Sequence, residues 1–267
     1  MKGKTKKPGL LTLTFSILGA LIVLFIMAPL LKMLLSGGEQ GLARALASRE
    51  VRDSIALTLT CALAATFIGA VLGVPLAYLL ARRAFFGKSL VEAVVDVPIV
   101  IPHPVAGIAL LLVFGRQFAG GRLFSNLGVT IVGDAPGIVV AMLFVSVPFI
   151  INAARDGFAR IDPRLENVAR TLNCGPLRAF FRVSLPLSWR SLLSGAIMMW
   201  ARAISEFGAI VILTYNPKVA SVLIYDRFTG YGLDYALPAA LALVLICLLL
   251  FALLRGINPR PHRSKSA

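Results

Sequence analysis

Long stretches without charged residues most restrict how this chain can fold. Six segments contain at most two Asp, Glu, Lys or Arg residues each, and they are residues 10–35, 55–81, 97–115, 135–154, 191–215 and 235–254. A helix needs roughly 20 mainly apolar residues to cross the hydrocarbon core of a bilayer. The sequence therefore predicts an all-α integral membrane protein with about six transmembrane helices. A count of five or seven also fits, because the letters VEAVVDVP do not define where the third helix begins.

The overall composition agrees with a membrane protein. Hydrophobic residues make up 58% of the 267 residues and charged residues 15%, whereas soluble domains are typically about 45–50% apolar and about 25% charged. The net charge of +15 fits the same class, because membrane proteins concentrate Lys and Arg in their cytoplasmic loops. We therefore predict lipid as the surrounding medium and no nucleic-acid partner.

The cysteines indicate no chemistry of their own. Cys61, Cys174 and Cys247 are scattered, without CxxC or Cys/His spacing. A dispersed, odd set predicts neither a disulfide framework nor a metal site. No acid–base or metal-ligand pattern stands out elsewhere, so the sequence predicts no catalytic residue, no metal and no cofactor.

The distribution of Lys and Arg predicts the orientation. With the N-terminus inside, 18 of these residues lie in cytoplasmic segments and seven in outer segments. The positive-inside rule then predicts a multi-pass protein of the cell membrane with both basic termini, residues 1–9 and 255–267, in the cytoplasm. The longest connecting segment, 155–190, has 36 residues, fewer than the roughly 50 of a folded domain. Residues 1–267 are therefore predicted to form a single membrane domain.

The loop at residues 160–190 predicts a short amphipathic helix. Asp162 can cap a helix that begins at Pro163, where a missing N–H costs nothing. Apolar residues then recur at i, i+3, i+4 and i+7, and they are Leu165, Val168, Ala169 and Leu172. Asn173 and Gly175 end the pattern. Such a helix either rests on the lipid surface or inserts into a groove of a partner protein, and its residues alone do not decide between the two.

The same loop resembles the EAA loop of ABC importer permeases, whose pattern is E-A-A-x3-G-x9-I-x-L-P. The residues at matching spacing are Ala169, Val183, Leu185 and Pro186, with valine in the isoleucine position. The chain departs from the pattern at two positions. Asn167 occupies the glutamate position, one residue after Glu166, and Asn173 occupies the glycine position, two residues before Gly175.

In that family, this loop forms a coupling helix that docks into a cleft of the ATPase subunit. The resemblance therefore implies that the loop residues of this chain contact an ATPase. The implied ATPase-coupling residues are Arg164, Glu166, Asn167, Ala169, Arg170, Asn173, Gly175, Val183, Leu185 and Pro186.

Two further stretches resemble the oxyanion branch of these permeases, which carries molybdate, tungstate or sulfate. They are IPHPVAGIALLLVFG at residues 101–115, which is most similar to the molybdate/tungstate members, and WARAISEFGAIVIL at residues 200–213. The resemblance implies a type I ABC importer permease that works as a homodimer. Its implied partners are two cytoplasmic ATPase subunits and an extracytoplasmic oxyanion-binding protein. ATP hydrolysis is then expected on the ATPase, so this chain would be a transport subunit and not an enzyme.

Four polar residues in the predicted spans have two possible roles. Arg202 and Glu206 are four residues apart, so they share a helix face and can form an ion pair that fixes packing. Alternatively, they line the translocation pathway or its gate together with Ser205, where a tetrahedral dianion would favour a positive, hydrogen-bonding surface. His103 lies between two prolines, which free backbone groups, and it either bonds such a group or also lines the pathway.

The letters LLSGGEQGLARALA at residues 34–47 look like the signature segment of ABC ATPases. A nucleotide-binding domain would also need the phosphate-binding pattern GxxxxGK[ST]. The nearest candidate, RRAFFGKS at residues 82–89, has arginine in place of the first glycine. Residues 34–47 are moreover predicted outside, where ATP is scarce. We therefore expect a helix end followed by a short surface helix at residues 41–47.

The sequence predicts the permease of an ATP-driven molybdate or tungstate importer. One alternative keeps the family and changes the cargo to sulfate or thiosulfate. A second alternative is a secondary transporter or channel without an ATPase, which would leave the amphipathic loop unexplained.

Overall fold

The computed structural model describes residues 9–37 and 39–257, and all regular secondary structure within these ranges is helical. The α-helices are α1 (Leu10–Gly37), α2 (Glu39–Ala47), α3 (Arg49–Arg82), α4 (Lys88–Val100), α5 (His103–Phe114), α6 (Ala119–Asn126), α7 (Ala135–Ala159), α8 (Pro163–Thr171), α9 (Pro176–Ala179), α10 (Leu185–Ile204), α11 (Gly208–Leu213), α12 (Ala220–Tyr231) and α13 (Leu233–Ile257). A π-helical segment, Phe180–Ser184, joins α9 to α10. The all-α prediction is confirmed. Residues 1–8 and 258–267 of the predicted basic termini lie outside the described residues.

Four described helices are long and apolar enough to cross a membrane: α1, α3, α7 and the Leu233–Leu254 part of α13. Helices α4 and α5 pass the same test together as a bent pair, with 116° between them. The remaining predicted span, residues 191–215, is divided between α10 and α11, which are separated at residues 205–207. The described chain therefore differs from six uninterrupted spans, since two of the six predicted segments are broken.

Helix α7 lies at the centre of the molecule, whereas α1 lies at its edge. Of the apolar window of α7, 56% is buried, against 0% for α1. Helix α7 packs against α3 and α10, and glycines permit this close approach. A methyl group placed on Gly195 of α10, for example, would lie 2.7 Å from the Cβ of Ala153 on α7. The apolar side chains of α1 are exposed along the helix, as expected of a surface that faces lipid.

The bend between α4 and α5 follows from prolines. Pro102 is the N-cap residue of α5 and Pro104 lies in its first turn. A proline is tolerated at the start of a helix, but it cannot continue a preceding helix, so α4 ends and α5 begins here. The ambiguous letters VEAVVDVP belong to α4, whose acidic residues find partners on α7. Asn152 Nδ2 donates a hydrogen bond to Asp96 Oδ1 at 2.7 Å, and Arg155 Nη1 lies 3.5 Å from Glu92 Oε1.

The break between α10 and α11 lies against the bend between α4 and α5. A methyl group on Gly208, the first residue of α11, would lie 2.8 Å from the Cβ of His103, the first residue of α5. One on Gly107 would lie 2.8 Å from the Cβ of Ile212. The two short helices α5 and α11 therefore begin together and run side by side at close range, which brings His103 next to the polar residues of the break before α11.

The predicted capped helix of the 160–190 loop is confirmed. The Asp162 carboxylate accepts a hydrogen bond from the Arg164 backbone N–H at 2.8 Å, and α8 begins at Pro163. Asn173 has a φ of 58°, a left-handed conformation. Since asparagine tolerates this conformation better than most residues, it can replace the glycine of the EAA pattern without losing the turn.

The stretch that looks like an ATPase signature is a helix end and a short helix. Helix α1 ends at Gly37, and α2 occupies Glu39–Ala47. The predicted short helix at residues 41–47 is confirmed and begins two residues earlier than predicted.

Candidate functional site

Helix α8 turns its apolar stripe away from the rest of the chain. Leu165 is 48% exposed, Val168 58% and Leu172 78%. Ala169 is half-buried. A stripe packed into its own protein would be covered, so the described chain leaves this apolar surface available for contact with another molecule.

The opposite face of α8 carries a buried acid. Glu166 is 5% exposed. Its Oε1 accepts hydrogen bonds from Arg82 Nε and from Ser184 Oγ, both at 2.8 Å, and its Oε2 accepts one from Tyr78 Oη at 2.9 Å. Arg82 Nη1 also donates to the Ile161 carbonyl oxygen at 3.0 Å. These contacts tie α8 to the end of α3 and to the start of α10.

The environment of Glu166 keeps its carboxylate charged. Burial alone would raise the pKa of this carboxyl, but the hydrogen bonds from Ser184, Tyr78 and Arg82 and the charge of Arg82 lower it below its ordinary value. The side chains of Arg82 and Glu166 are only 10% and 6% exposed. A buried charge of this kind is tolerated because it is paired and hydrogen-bonded, so the contact holds α8 in one position.

Glu166 is the exception among the ten loop residues singled out by the sequence. Six of them are exposed and three are half-buried. The exposed residues are Arg164, Asn167, Arg170, Asn173, Gly175 and Pro186, and the half-buried residues are Ala169, Val183 and Leu185. In the described chain, Glu166 faces its own protein and therefore positions the loop, whereas the exposed residues form its outer surface.

The residues that bind Glu166 could not be predicted from the sequence. Arg82 and Tyr78 precede Glu166 by 84 and 88 residues, so no local pattern connects them with α8. A weaker signal is present, because Tyr78 and Arg82 are four residues apart and share one face of α3. Ser184 lies in the π-helical segment, which the sequence does not predict.

The second polar group, which we call the charge cluster, consists of His103, Arg202, Ser205 and Glu206. Arg202 Nη2 donates to Glu206 Oε2 at 2.9 Å and lies 2.5 Å from His103 Nε2. Arg202 Nη1 donates to Ser205 Oγ at 3.2 Å. The predicted ion pair between Arg202 and Glu206 is therefore confirmed. The sequence misses one feature: α10 ends at Ile204, so the pair spans a helix end and not a continuous helix.

Glu206 also organises the backbone at this break. Its Oε1 accepts a hydrogen bond from the Ala209 backbone N–H at 2.8 Å, which satisfies one free donor at the start of α11. Its carbonyl oxygen accepts another from Ser221 Oγ at 2.9 Å. Because the arginine side chain has no acceptor, His103 Nε2 must accept from Arg202, and the ring proton lies on Nδ1. Nδ1 lies 3.8 Å from Glu206 Oε2.

The charge cluster brings together all four residues that the sequence singled out for the predicted spans. His103 contacts the Arg202 side chain, in addition to standing at a proline-rich bend. Across residues 9–37 and 39–257, no group of three or more His, Cys, Asp or Glu residues is arranged to hold a metal ion.

Comparison with known proteins places this architecture in a family. Residues 73–263 match the family model for the binding-protein-dependent transport system inner membrane component. The molybdate/tungstate transport system permease protein WtpB of Pyrococcus furiosus is 47% identical over 94% of this chain and 96% of its own length. The WtpB protein of Methanocaldococcus jannaschii is 41% identical over 88% of this chain and 92% of its own length.

Solved structures agree on the fold. A bacterial ABC transporter that imports the acidic polysaccharide alginate contains a chain with a TM-score of 0.72 at 16% identity, covering 94% of this chain and 96% of that one. The methionine ABC transporter MetNI gives a TM-score of 0.59 at 17% identity over 78% of this chain and 92% of that one. With the long apolar helices described above, these findings indicate a multi-pass transport subunit. The chain belongs to the family of inner membrane components of binding-protein-dependent transport systems.

Proposed function

We propose that this chain is the membrane-spanning permease of an ATP-driven importer for molybdate or tungstate. The observation that carries the proposal is α8, which exposes an apolar stripe on one face and is anchored to its own chain by Glu166 on the other. The WtpB permease of Pyrococcus furiosus, at 47% identity over nearly the whole length, supports this choice of cargo.

The proposed partner of α8 is a cytoplasmic ABC ATPase. An exposed apolar stripe flanked by Arg164 and Arg170 suits insertion into a groove of another protein. Two copies of the chain would form a homodimer with two ATPase subunits, and both termini would lie in the cytoplasm, as the distribution of Lys and Arg favours. An extracytoplasmic oxyanion-binding protein would deliver the cargo from the other side of the cell membrane.

Coupling then follows from how α8 is attached. Closure of the ATPase dimer would displace α8, and the bonds of Glu166 would pass this displacement to Arg82 on α3 and to Ser184 beside α10. Both helices pack on the central helix α7. A rigid-body movement of these helices would switch the pathway between inward-facing and outward-facing states. This chain would itself break no bond, since ATP hydrolysis would take place on the partner.

Sulfate or thiosulfate is the less favoured cargo. A probable sulfate transport system permease protein cysT of Chlorokybus atmophyticus is 36% identical over 76% of this chain and 71% of its own length, so both identity and coverage are lower than for WtpB. A channel or secondary transporter would leave the outward stripe of α8 without a role.

Reconstitution tests the proposal. The chain, its ATPase and its binding protein would be placed in liposomes, and ATP hydrolysis and uptake would be measured with molybdate, tungstate and sulfate. We expect uptake of molybdate or tungstate only with ATP and all components, and loss of coupling in Ala169→Arg. Asp53→Asn is the control. It also removes an ion pair, but the side chains of Arg49 and Asp53 are 89% and 71% exposed, so this pair holds no elements together. Normal uptake by the chain alone would contradict the proposal.

A further inference from the structure

The charge cluster lies where two helices are interrupted. Helix α5 begins at His103 after the proline bend, and α11 begins at Gly208 after the break at residues 205–207. Within a bilayer, irregular backbone is tolerated only where it is buried in protein or lines a water-filled cavity. The cluster satisfies both conditions in part, because one side of it is closed and the other is open.

The exposure of its side chains separates the two sides. The side chain of Glu206 is 0% exposed and that of Arg202 is 19% exposed, whereas that of His103 is 43% exposed. Ser205 is exposed as well. The carboxylate therefore forms the floor of the cluster, and the guanidinium, the imidazole and the hydroxyl face outward from the chain.

The guanidinium retains hydrogen-bonding capacity. Arg202 makes one contact each with Glu206, His103 and Ser205, which uses three of the five N–H donors that an arginine carries. Arginine binds tetrahedral oxyanions and carboxylates in the same forked geometry. Glu206 uses only one oxygen on Arg202, so an anionic cargo could bind the remaining N–H groups and compete with this carboxylate for the guanidinium.

We propose that Arg202 is the group on this chain that contacts the oxyanion during transport, and that Glu206 is a built-in competitor that keeps this contact weak. The inference rests on the proposed function and specifies a cargo-contacting site within it. Ser205 and His103 form the outward rim of the same site. With Glu206 ionised and His103 neutral, the side chains of the cluster carry no net charge.

A weak contact between Arg202 and the anion suits transport. A partly desolvated arginine without a counter-charge would bind a dianion strongly, and a transport pathway must also release its cargo. Glu206 cannot swing away without giving up its bond to the Ala209 N–H. It therefore stays in place and competes with the passing anion for the guanidinium. Its negative charge also repels the anion, which favours release.

The test measures retention of molybdate by the purified complex of this chain with its ATPase, without the binding protein. Radiolabelled molybdate is the probe. In Glu206→Gln, we expect molybdate to bind about tenfold more tightly or more, the scale for removing one charge from a partly buried site, and maximal uptake in liposomes to fall because release is slow. In Arg202→Gln, we expect retention to be lost, and in Arg202→Lys to be partly kept. Asp53→Asn should bind molybdate as the unchanged chain does.

The outcomes distinguish failure of this inference from failure of the proposed function. If the unchanged complex transports molybdate but Glu206→Gln retains no more of it, the pair has only a packing role and the inference is wrong. The same conclusion would follow if Glu206→Gln and Arg202→Gln lost uptake and ATP hydrolysis equally and neither changed molybdate retention. If the unchanged complex transports no oxyanion at all, the proposed function itself fails.

Discussion

Two of the Arg–Glu ion pairs in the described part of the chain, which have nearly the same length, differ in their surroundings. The loop pair, Arg82–Glu166, has an N–O distance of 2.8 Å, and the break pair, Arg202–Glu206, one of 2.9 Å. The loop pair joins residues 84 positions apart, is largely buried and is hydrogen-bonded to Tyr78, Ser184 and the Ile161 carbonyl. The break pair joins residues four positions apart and remains open on one side through His103 and Ser205.

We infer from this difference that burial and geometry, and not composition, suit each ion pair to its proposed task. In the loop pair, the Glu166 carboxylate accepts three hydrogen-bond donors from two other parts of the chain, so the pair acts as a joint between elements. In the break pair, the donor side faces outward and its arginine keeps N–H groups for another acceptor. The loop pair suits transmission of movement, and the break pair suits brief contact with an anion.

Removal of the loop pair should have the largest effect. Glu166→Ala leaves Arg82 buried without a counter-charge, which typically costs about 3–5 kcal/mol. We expect a clear drop in the thermal unfolding temperature of the purified chain and loss of ATP-driven uptake, while bound molybdate is still discriminated from sulfate. Unchanged stability would show that Arg82 is compensated by another partner, and the loop pair would then not be a joint.

Weakening the joint should have an intermediate effect. Tyr78→Phe removes the hydroxyl that donates to Glu166 but keeps the ring, which packs edge-on against Phe158 and Phe180. A hydrogen bond to a charged group contributes about 1.5–3 kcal/mol, so we expect a loss of that size in the free energy of unfolding. Ser184→Ala should act in the same direction, and an effect as large as that of Glu166→Ala would contradict the account.

A change in loop shape that touches neither pair should cost less. Asn173 has a positive φ of 58° and is exposed, so Asn173→Val introduces backbone strain of about 1–2 kcal/mol without loss of packing. Asn173→Gly is the matched control and should be neutral or slightly favourable. The comparison is made on coupling, as molybdate imported per ATP hydrolysed. Equal coupling in both variants would mean that the turn does not set the position of α8.

Acidification should have the smallest effect near neutral pH. The pKa of Glu166 is lowered in the folded chain, so its contribution to stability is fully present above the ordinary pKa of a carboxyl and is lost as the pH falls through the lowered value. We expect the difference in unfolding temperature between the unchanged chain and Glu166→Gln to be constant above about pH 5 and to shrink below it. A difference that grows on acidification would reverse the assigned direction.

What the sequence could predict depended on distance along the chain. Four of the six apolar spans, the capped start of α8 and the pair four residues apart at Arg202 and Glu206 follow from local patterns, and the structure confirms them. The loop pair does not follow, because the position of Arg82 beside Glu166 is decided by the packing of α3 against the loop. The break after Ile204 does not follow either, because a spacing of four residues between Arg202 and Glu206 predicts a continuous helix, whereas α10 ends at Ile204.

We propose that the two pairs serve different steps of one transport cycle. The decisive experiment prepares Glu166→Gln and Arg202→Gln with the ATPase, and measures molybdate uptake per ATP hydrolysed in liposomes with the binding protein, and molybdate retention by the purified complex without it. We expect Glu166→Gln to lower the first quantity and leave the second unchanged, and Arg202→Gln to abolish the second. If both variants change the same quantity to the same extent, the division of tasks between the two pairs is wrong.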